Sequence, residues 1–234
     1  ILKIVYECEE LKMSVRNSTE NIYEDLKEKI MNLEYKPGQI ITEQEINKTY
    51  GVSRTPSRDI LRKLNSIGLV ESEPFKSSYV SLLDMDIIRQ SIYMRVVLEK
   101  QIIKDAIEMM NDKFIAEMEY NLKLQELLLK REFETKEFYD LDCQLHKLWY
   151  ELTKNIFIWE QLEKAQIHYK RFKMLDILEV KNFKAIYEDH KKLVDAIKDK
   201  NVEKVEEIIT EHLYSGIKRL QELIQGEFSQ YFKK

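Results

Sequence analysis

The stretch GVSRTPSRDILRKLNSIGLV, residues 51–70, decides the fold of the N-terminal third. Arg54, Arg58, Arg62 and Lys63 crowd into it, although the whole chain carries a formal net charge of −4. Apolar residues then take over at Ile60, Leu61, Leu64, Ile67, Leu69 and Val70. The pattern predicts a helix that opens around Ser53–Thr55, with Pro56 in a first turn that needs no amide hydrogen, and ends at Gly68. The helix dipole disfavours cations at that end. A solvated charged face is the plain alternative, but cations set against the dipole imply an anionic partner.

The flanks extend this reading. Ile22, Leu26, Ile30 and Leu33 recur at helical spacing over 19–34, and Lys36-Pro37-Gly38 ends that helix. Thr42 and Glu45 have the spacing of a capping box for a short helix that runs to Tyr50 and stops at Gly51. Two β runs, 69–73 and 78–82, follow the third helix and are joined by a turn containing Pro74. Helix, helix, tight turn, helix and β-hairpin make a winged helix-turn-helix, whose third helix enters a DNA major groove with its N-terminal residues. Arginine there can fork onto guanine or phosphate. Residues 1–80 hold 12 Lys+Arg against 13 Asp+Glu, so the positive charge must be confined to one face. Non-specific affinity for DNA should then be modest and steeply salt-sensitive.

Composition sets the frame for the remainder. With 44% hydrophobic and 34% charged residues among 234, the chain is globular rather than disordered. No window holds enough uncharged apolar residues to span a membrane, and the N-terminus lacks the apolar core of a signal peptide. Cys8 and Cys143 form no disulfide framework, which places the protein by default in a reducing cytoplasm. Glu9 to Met13 back-translates as a ribosome-binding site, a spacer and a start codon, so Met13 is one candidate start and residues 1–18 are read as leader or disordered. An ordinary frayed terminus accounts for them equally well.

All three prolines precede residue 75, and no glycine lies between Gly68 and Gly216. This shift separates a turn-rich winged helix-turn-helix over 19–82 from an antiparallel all-helical bundle over 84–228. The expected helices are roughly 84–110, 112–131, 134–154, 156–177, 183–199 and 201–225. Asp142 and His146 are i, i+4 on one face. His190 lies on the inward stripe Ile186–His190–Leu193–Ile197, and His212 on Val205–Ile208–His212. The joint between those two helices centres on residue 201, midway between 190 and 212, so the two rings face each other in the hairpin. One carboxylate and three imidazoles on three inward faces suit a divalent transition metal, zinc by default with nickel and manganese open. A lone core histidine would more often bond a neighbouring carbonyl, and His168 is read that way or as pocket-lining. Cys143 is one residue off the ligand face and is read as packing.

The residues Lys36-Pro37-Gly38, Glu43, Ile46, the run Gly51-Val52-Ser53-Arg54-Thr55-Pro56-Ser57-Arg58 and Gly68-Leu69-Val70 resemble the DNA-binding domain of GntR-family bacterial transcription regulators. The resemblance implies that Ser53, Arg54, Thr55 and Arg58 contact DNA, with Gln44 at a further contact position. The wing departs from the family pattern: Phe75 stands where a glycine usually approaches the minor groove, leaving Lys76 as a phosphate contact. Asp142-xxx-His146, Glu188-Asp189-His190, Glu211-His212-Leu213 and Arg95-xx-Leu98-Glu99 resemble the FCD-type C-terminal domain of the fatty-acid-regulator (FadR) branch. That resemblance implies a homodimer whose metal helps bind a small carboxylate effector. Arg95 would then pair with the effector or, equally, with Glu99; Asn155 would touch the site or cap the next helix. The expectation is a homodimeric repressor on a palindromic operator, with operator affinity set by a small organic acid. Two rivals stand beside it: a structural-zinc regulator without effector, and a metal-dependent hydrolase carrying a nucleic-acid-binding module. The hydrolase reading lacks an HExxH run, and Asp189 and Glu211 are expected to point away from the ion.

Overall fold

The computed structural model describes residues 19–72 and 77–234. The expected leader and wing residue Lys76 therefore lie outside the described residues. The chain divides into two units at Leu83 and Asp84. The last five residues, Gln230–Lys234, belong to the first unit, and the second unit is Asp84–Ser229.

The N-terminal unit holds α1 (Thr19–Met31), β1 (Ile40–Ile41), α2 (Glu43–Tyr50), α3 (Arg54–Ser66), β2 (Val70–Ser72) and β3 (Ser78–Val80). The i, i+4 stripe Ile22–Leu26–Ile30 buries one face of α1. Against it α3 contributes Ile60, Leu61 and Leu64, while its charged residues stay in water. The wing is antiparallel in the order β1-β3-β2, with Val70 opposite Val80 and Ile40 opposite Tyr79. Strand β1 was not expected, because two residues beside a Pro-Gly turn give no periodicity to read.

Thr42 caps α2 as a full capping box. The Glu45 amide donates to Thr42 Oγ1 at 3.1 Å, and Glu45 Oε2 accepts from the Thr42 amide at 2.9 Å. Gly51 closes that helix in the left-handed region at φ 67°, so the chain turns sharply into α3. Ser57, fully buried, pins the two helices together by hydrogen bonding to Asn47. The end of the chain returns to this unit. The Leu83 amide donates to the Tyr231 carbonyl at 2.8 Å, and the Lys233 amide to the Leu83 carbonyl at 2.8 Å. Phe232 is buried there, and Lys233 Nζ lies 3.4 Å from Glu71 on β2.

The second unit is entirely helical: α4 (Met85–Met109), α5 (Asp112–Leu128), α6 (Thr135–Leu152), α7 (Ile156–Ala165), α8 (Ile167–Val180), α9 (Phe183–Lys198) and α10 (Val202–Gln225). A short 3-10 turn, Ser229–Tyr231, follows. Asp84, Asn111 and Asn201 cap α4, α5 and α10 through side-chain oxygens that accept first-turn amides. Phe133, Phe138 and Phe183 stack edge to face around the α6 and α9 starts, with Phe183 centroids 4.9 and 5.1 Å from the other two.

One expected helix, 156–177, is two. Gln166 leaves helical geometry at φ −103° and ψ 32°, and Lys170 Nζ takes the freed Glu163 carbonyl at 2.9 Å. No glycine or proline marks this break. The resulting α8 is buried on nearly every side, from Tyr169 and Arg171 to Asp176 and Ile177. His168 accepts the Asp84 amide on Nδ1 at 3.2 Å, a structural bond at the α4 N-terminus.

Thr42→Ala should lower stability by about 1 kcal/mol, because the Glu45 amide loses its acceptor. Glu45→Gln, which can still reach back to residue 42, should stay within about 0.5 kcal/mol of the parent. Urea titration followed by circular dichroism measures both.

Candidate functional site

The helical unit brings four predicted residues to one point. Asp142 and His146 project from α6, His190 from α9 and His212 from α10, and one ligand atom from each lies within 4.8 Å of all the others. The ring of His190 is 4.8 Å from that of His212 and 5.6 Å from that of His146. His146 and His190 are fully buried, Asp142 is 1% exposed and the His212 side chain 7%.

Asp142, His146 and His190 each commit an outer atom and leave an inner one free of hydrogen bonds. His146 Nδ1 meets Glu99 Oε2 at 2.5 Å, and His190 Nδ1 meets Gln125 Oε1 at 2.9 Å. Each contact puts the ring proton on Nδ1, leaving the Nε2 lone pair to face inward. The Lys173 ammonium pairs with Asp142 Oδ2. The remaining atoms, Asp142 Oδ1, His146 Nε2, His190 Nε2 and His212 Nδ1, are buried with no hydrogen bond. Asp142 Oδ1 lies 3.4 Å from His190 Nε2. Orphaned buried polar atoms are costly and rare. Four of them converging from four residues, of the N and O types that zinc, nickel and manganese accept, fit a divalent metal.

The supporting shell is continuous. Gln125 is oriented by its Nε2 bond to Asn121 Oδ1 at 2.7 Å, and Asn121 Nδ2 donates to the Leu141 carbonyl at 3.0 Å. Arg95 donates to Glu99 Oε1 at 2.7 Å and to the Tyr169 hydroxyl at 3.2 Å. Burial alone would raise the Glu99 carboxyl, but Arg95 and His146 hold it at about 2. Burial would likewise raise Asp142, yet Lys173 and the histidines hold it well below the usual carboxylate range. Glu99 was read in the sequence only as an alternative partner of Arg95, a pairing the structure contains; its contact with His146 was missed, and so was Gln125. The signal for Gln125 is a polar residue inside a buried helical stripe, as in Met118–Asn121–Gln125–Leu128.

A cleft opens beside the cluster, lined by Asp142, Tyr169, Phe172, Lys173, Asp176, His212, Gly216 and Arg219 among others. Arg219 is held by Asp176 through bonds of 3.1 and 2.5 Å. Neither Arg95 nor Asn155 lines it. Arg95 spends its guanidinium on Glu99 and Tyr169; Asn155 occupies the N-cap position of α7 but donates to Thr153 Oγ1 at 3.1 Å instead of capping. Asp189 does not point away from the cluster as expected, since its Oδ2 is 3.8 Å from His212 Nδ1.

In the N-terminal unit, Gln44, Ser53, Arg54, Thr55 and Arg58 are all exposed around the α2–α3 turn. Arg58 Nε donates to Glu43 Oε1 at 3.1 Å while its side chain stays 57% exposed. A surface pair of this kind is worth at most about 1 kcal/mol, so it can orient the guanidinium without withholding it from a phosphate or base.

Residues 90–215 match the family model described as FCD domain, and residues 18–80 that of bacterial regulatory proteins, gntR family. The chain is 24% identical over 215 residues to the HTH-type transcriptional repressor RspR of Escherichia coli K12, covering 92% of this chain and 93% of that one. It is 24% identical over 205 residues to the HTH-type regulator YdhC of Bacillus subtilis, covering 87% and 91%. Among solved structures, E. coli McbR/YncC superposes with a TM-score of 0.67 at 20% identity, covering 88% of this chain and 97% of that one. A GntR regulator from Rhodococcus sp. RHA1 gives 0.69 at 16%, covering 87% and 97%. These families and relatives are transcriptional regulators, not enzymes, which removes the hydrolase reading. No described helix is long and apolar enough to cross a membrane.

Burial pushes His146, His190 and His212 below the ordinary imidazole value of 6.5, and Glu99, Asp142 and Asp189 oppose that only in part. The unfolded chain therefore takes up these protons at a higher pH than the folded one. Stability from the neutral rings is complete above pH 6.5 and falls as the pH drops through the window below it. Urea midpoints of metal-free protein should be level from pH 7 to 8 and decline between pH 6.5 and 5.5; a level profile through that lower window contradicts the assignment.

Proposed function

The chain belongs to the GntR family of bacterial transcriptional regulators, with an FCD domain following its DNA-binding domain, and on that premise we propose that it is a metal-containing, effector-responsive repressor. Two protomers form a dimer, and each places α3 in a major groove of a palindromic operator. Arg54 and Arg58 read bases or phosphates, Ser53, Thr55 and Gln44 add contacts, and Lys76 in the wing reaches a phosphate. RspR, a relative over nearly the whole chain, is described as a repressor, which favours repression here.

Asp142, His146, His190 and His212 hold the metal, with zinc the first choice and nickel or manganese alternatives. The single observation that carries this is the convergence of four buried donor atoms that have no hydrogen bond. When bound, the metal supplies a Lewis-acidic centre to which a small carboxylate can coordinate. This chain's residues do the rest. Glu99 and Gln125 fix the tautomers and directions of His146 and His190. Arg95 positions Glu99, which suits it to support the centre more than to touch the effector, and Asn155 is the weaker effector contact. Effector binding in the cleft shifts the balance between bundle conformations and so alters operator affinity, by a coupling of about 1–3 kcal/mol.

A mobility-shift assay on the protein's own upstream DNA, with a panel of organic acids added, tests the whole reading. Arg54→Ala and Arg58→Ala should each weaken specific binding by about 1–3 kcal/mol, with Arg54→Ala also relaxing base preference. If no upstream fragment shifts at low salt, the regulatory reading fails at this locus.

For the metal, elemental analysis of His190→Ala should show lost metal at unchanged secondary structure. Unchanged metal content would remove His190 from the site.

A further inference from the structure

The two oxygens of Asp142 have different partners. Oδ1 faces the cluster, while Oδ2 is taken by the ammonium of Lys173 on α8. Lys173 is not one of the four ligating residues, yet its side chain is 12% exposed and lines the cleft with His212. Charge in that cleft is otherwise settled. Asp176 holds Arg219 through both its oxygens, and Arg95 is spent on Glu99 inside the core. The charged residues lining it, Asp142, Lys173, Asp176 and Arg219, cancel. A divalent ion on Asp142 leaves the site with net positive charge even when the Asp189 carboxylate, 3.8 Å from His212 Nδ1, is counted, which favours an anion over a neutral or cationic ligand.

Resting on the metal reading above, we propose that Lys173 is the residue that selects a carboxylate-bearing ligand at this centre. It acts in two ways. Its hold on Oδ2 limits Asp142 to one metal contact, so coordination positions stay open that a second carboxylate oxygen would fill. An ammonium has three donors, and those not given to Asp142 are available to a ligand carboxylate bound beside His212. Tyr139, whose ring lies 5.1 Å from Nζ, restricts the directions the ammonium can take. Lys173 is thus a specificity residue placed between the metal and the cleft, visible in the structure through a contact that spans 31 positions of sequence.

The test uses full-length protein loaded with cobalt(II), whose visible spectrum reports coordination, and acetate as the probe. In the parent protein, acetate should change the spectrum saturably. Lys173→Met should bind cobalt(II) at the same stoichiometry but acetate at least tenfold more weakly. Lys173→Gln, which keeps a hydrogen-bonding side chain over Asp142, guards against misfolding of the first variant and should show the same loss. Lys173→Arg should recover most of the acetate response. Unaltered acetate affinity in Lys173→Met or Lys173→Gln overturns the proposal, as does a parent spectrum that ignores acetate. Failure of the parent protein to bind cobalt(II) instead sinks the metal reading itself, and this inference with it.

Discussion

Burying imidazole and carboxylate groups in a helical core is costly unless each polar atom finds a partner, and this constraint organises the C-terminal unit. His146 and His190 satisfy one ring nitrogen each through Glu99 and Gln125, and those residues are in turn held by Arg95 and Asn121. The supports come from α4 and α5, whereas the four clustered residues come from α6, α9 and α10. Five helices therefore meet at one polar point inside an apolar bundle. Hydrogen bonds tie α4 to α6 and α5 to both α6 and α9, so movement of any of these four helices would disturb the cluster.

The N-terminal unit solves a different problem. It must present cations without becoming a general polycation, and it does so by position. The α3 N-terminus carries Arg54 and Arg58 in water, where the helix dipole opposes them, and Glu43 from the preceding helix steadies Arg58. Lys63, one helical turn or more further on, is instead paired with Glu20 on α1. Lys63 is thus tied to α1 within the unit, whereas Arg54 and Arg58 lie exposed at the α2–α3 turn.

Much of this could be read from residues alone, and for physical reasons. Periodicity gave the helices, because α1, α3, α9 and α10 each have one buried stripe and few interruptions. The symmetrical placing of His190 and His212 about residue 201 was legible because a short hairpin fixes register. The split at Gln166 was not, since no local breaker marks it and the kink is settled by packing of the central α8. The supporting contacts to the histidines were also hidden. Glu99 and Gln125 lie 47 and 65 positions from the histidines they orient. The Arg95–Glu99 pair was legible at i, i+4, but the reach of Glu99 to His146 was not, and only the oddity of a polar residue in a buried stripe hinted at Gln125. Asp189 was misread because helical spacing gives a direction for its Cβ but not the reach of its carboxylate toward a neighbouring helix.

The return of the last five residues to the first unit makes the DNA-binding module discontinuous along the chain. Leu83 is paired on both its amide and its carbonyl by residues 231 and 233. Topologically, the FCD-domain helices form an insertion whose two ends leave and re-enter the same module. A fragment cut after residue 82, the natural choice from the sequence, would lack both Leu83 and the phenyl ring of Phe232 that is buried in that module. Trimming or tagging the opposite end of the polypeptide would likewise be felt in the module nearest the other end.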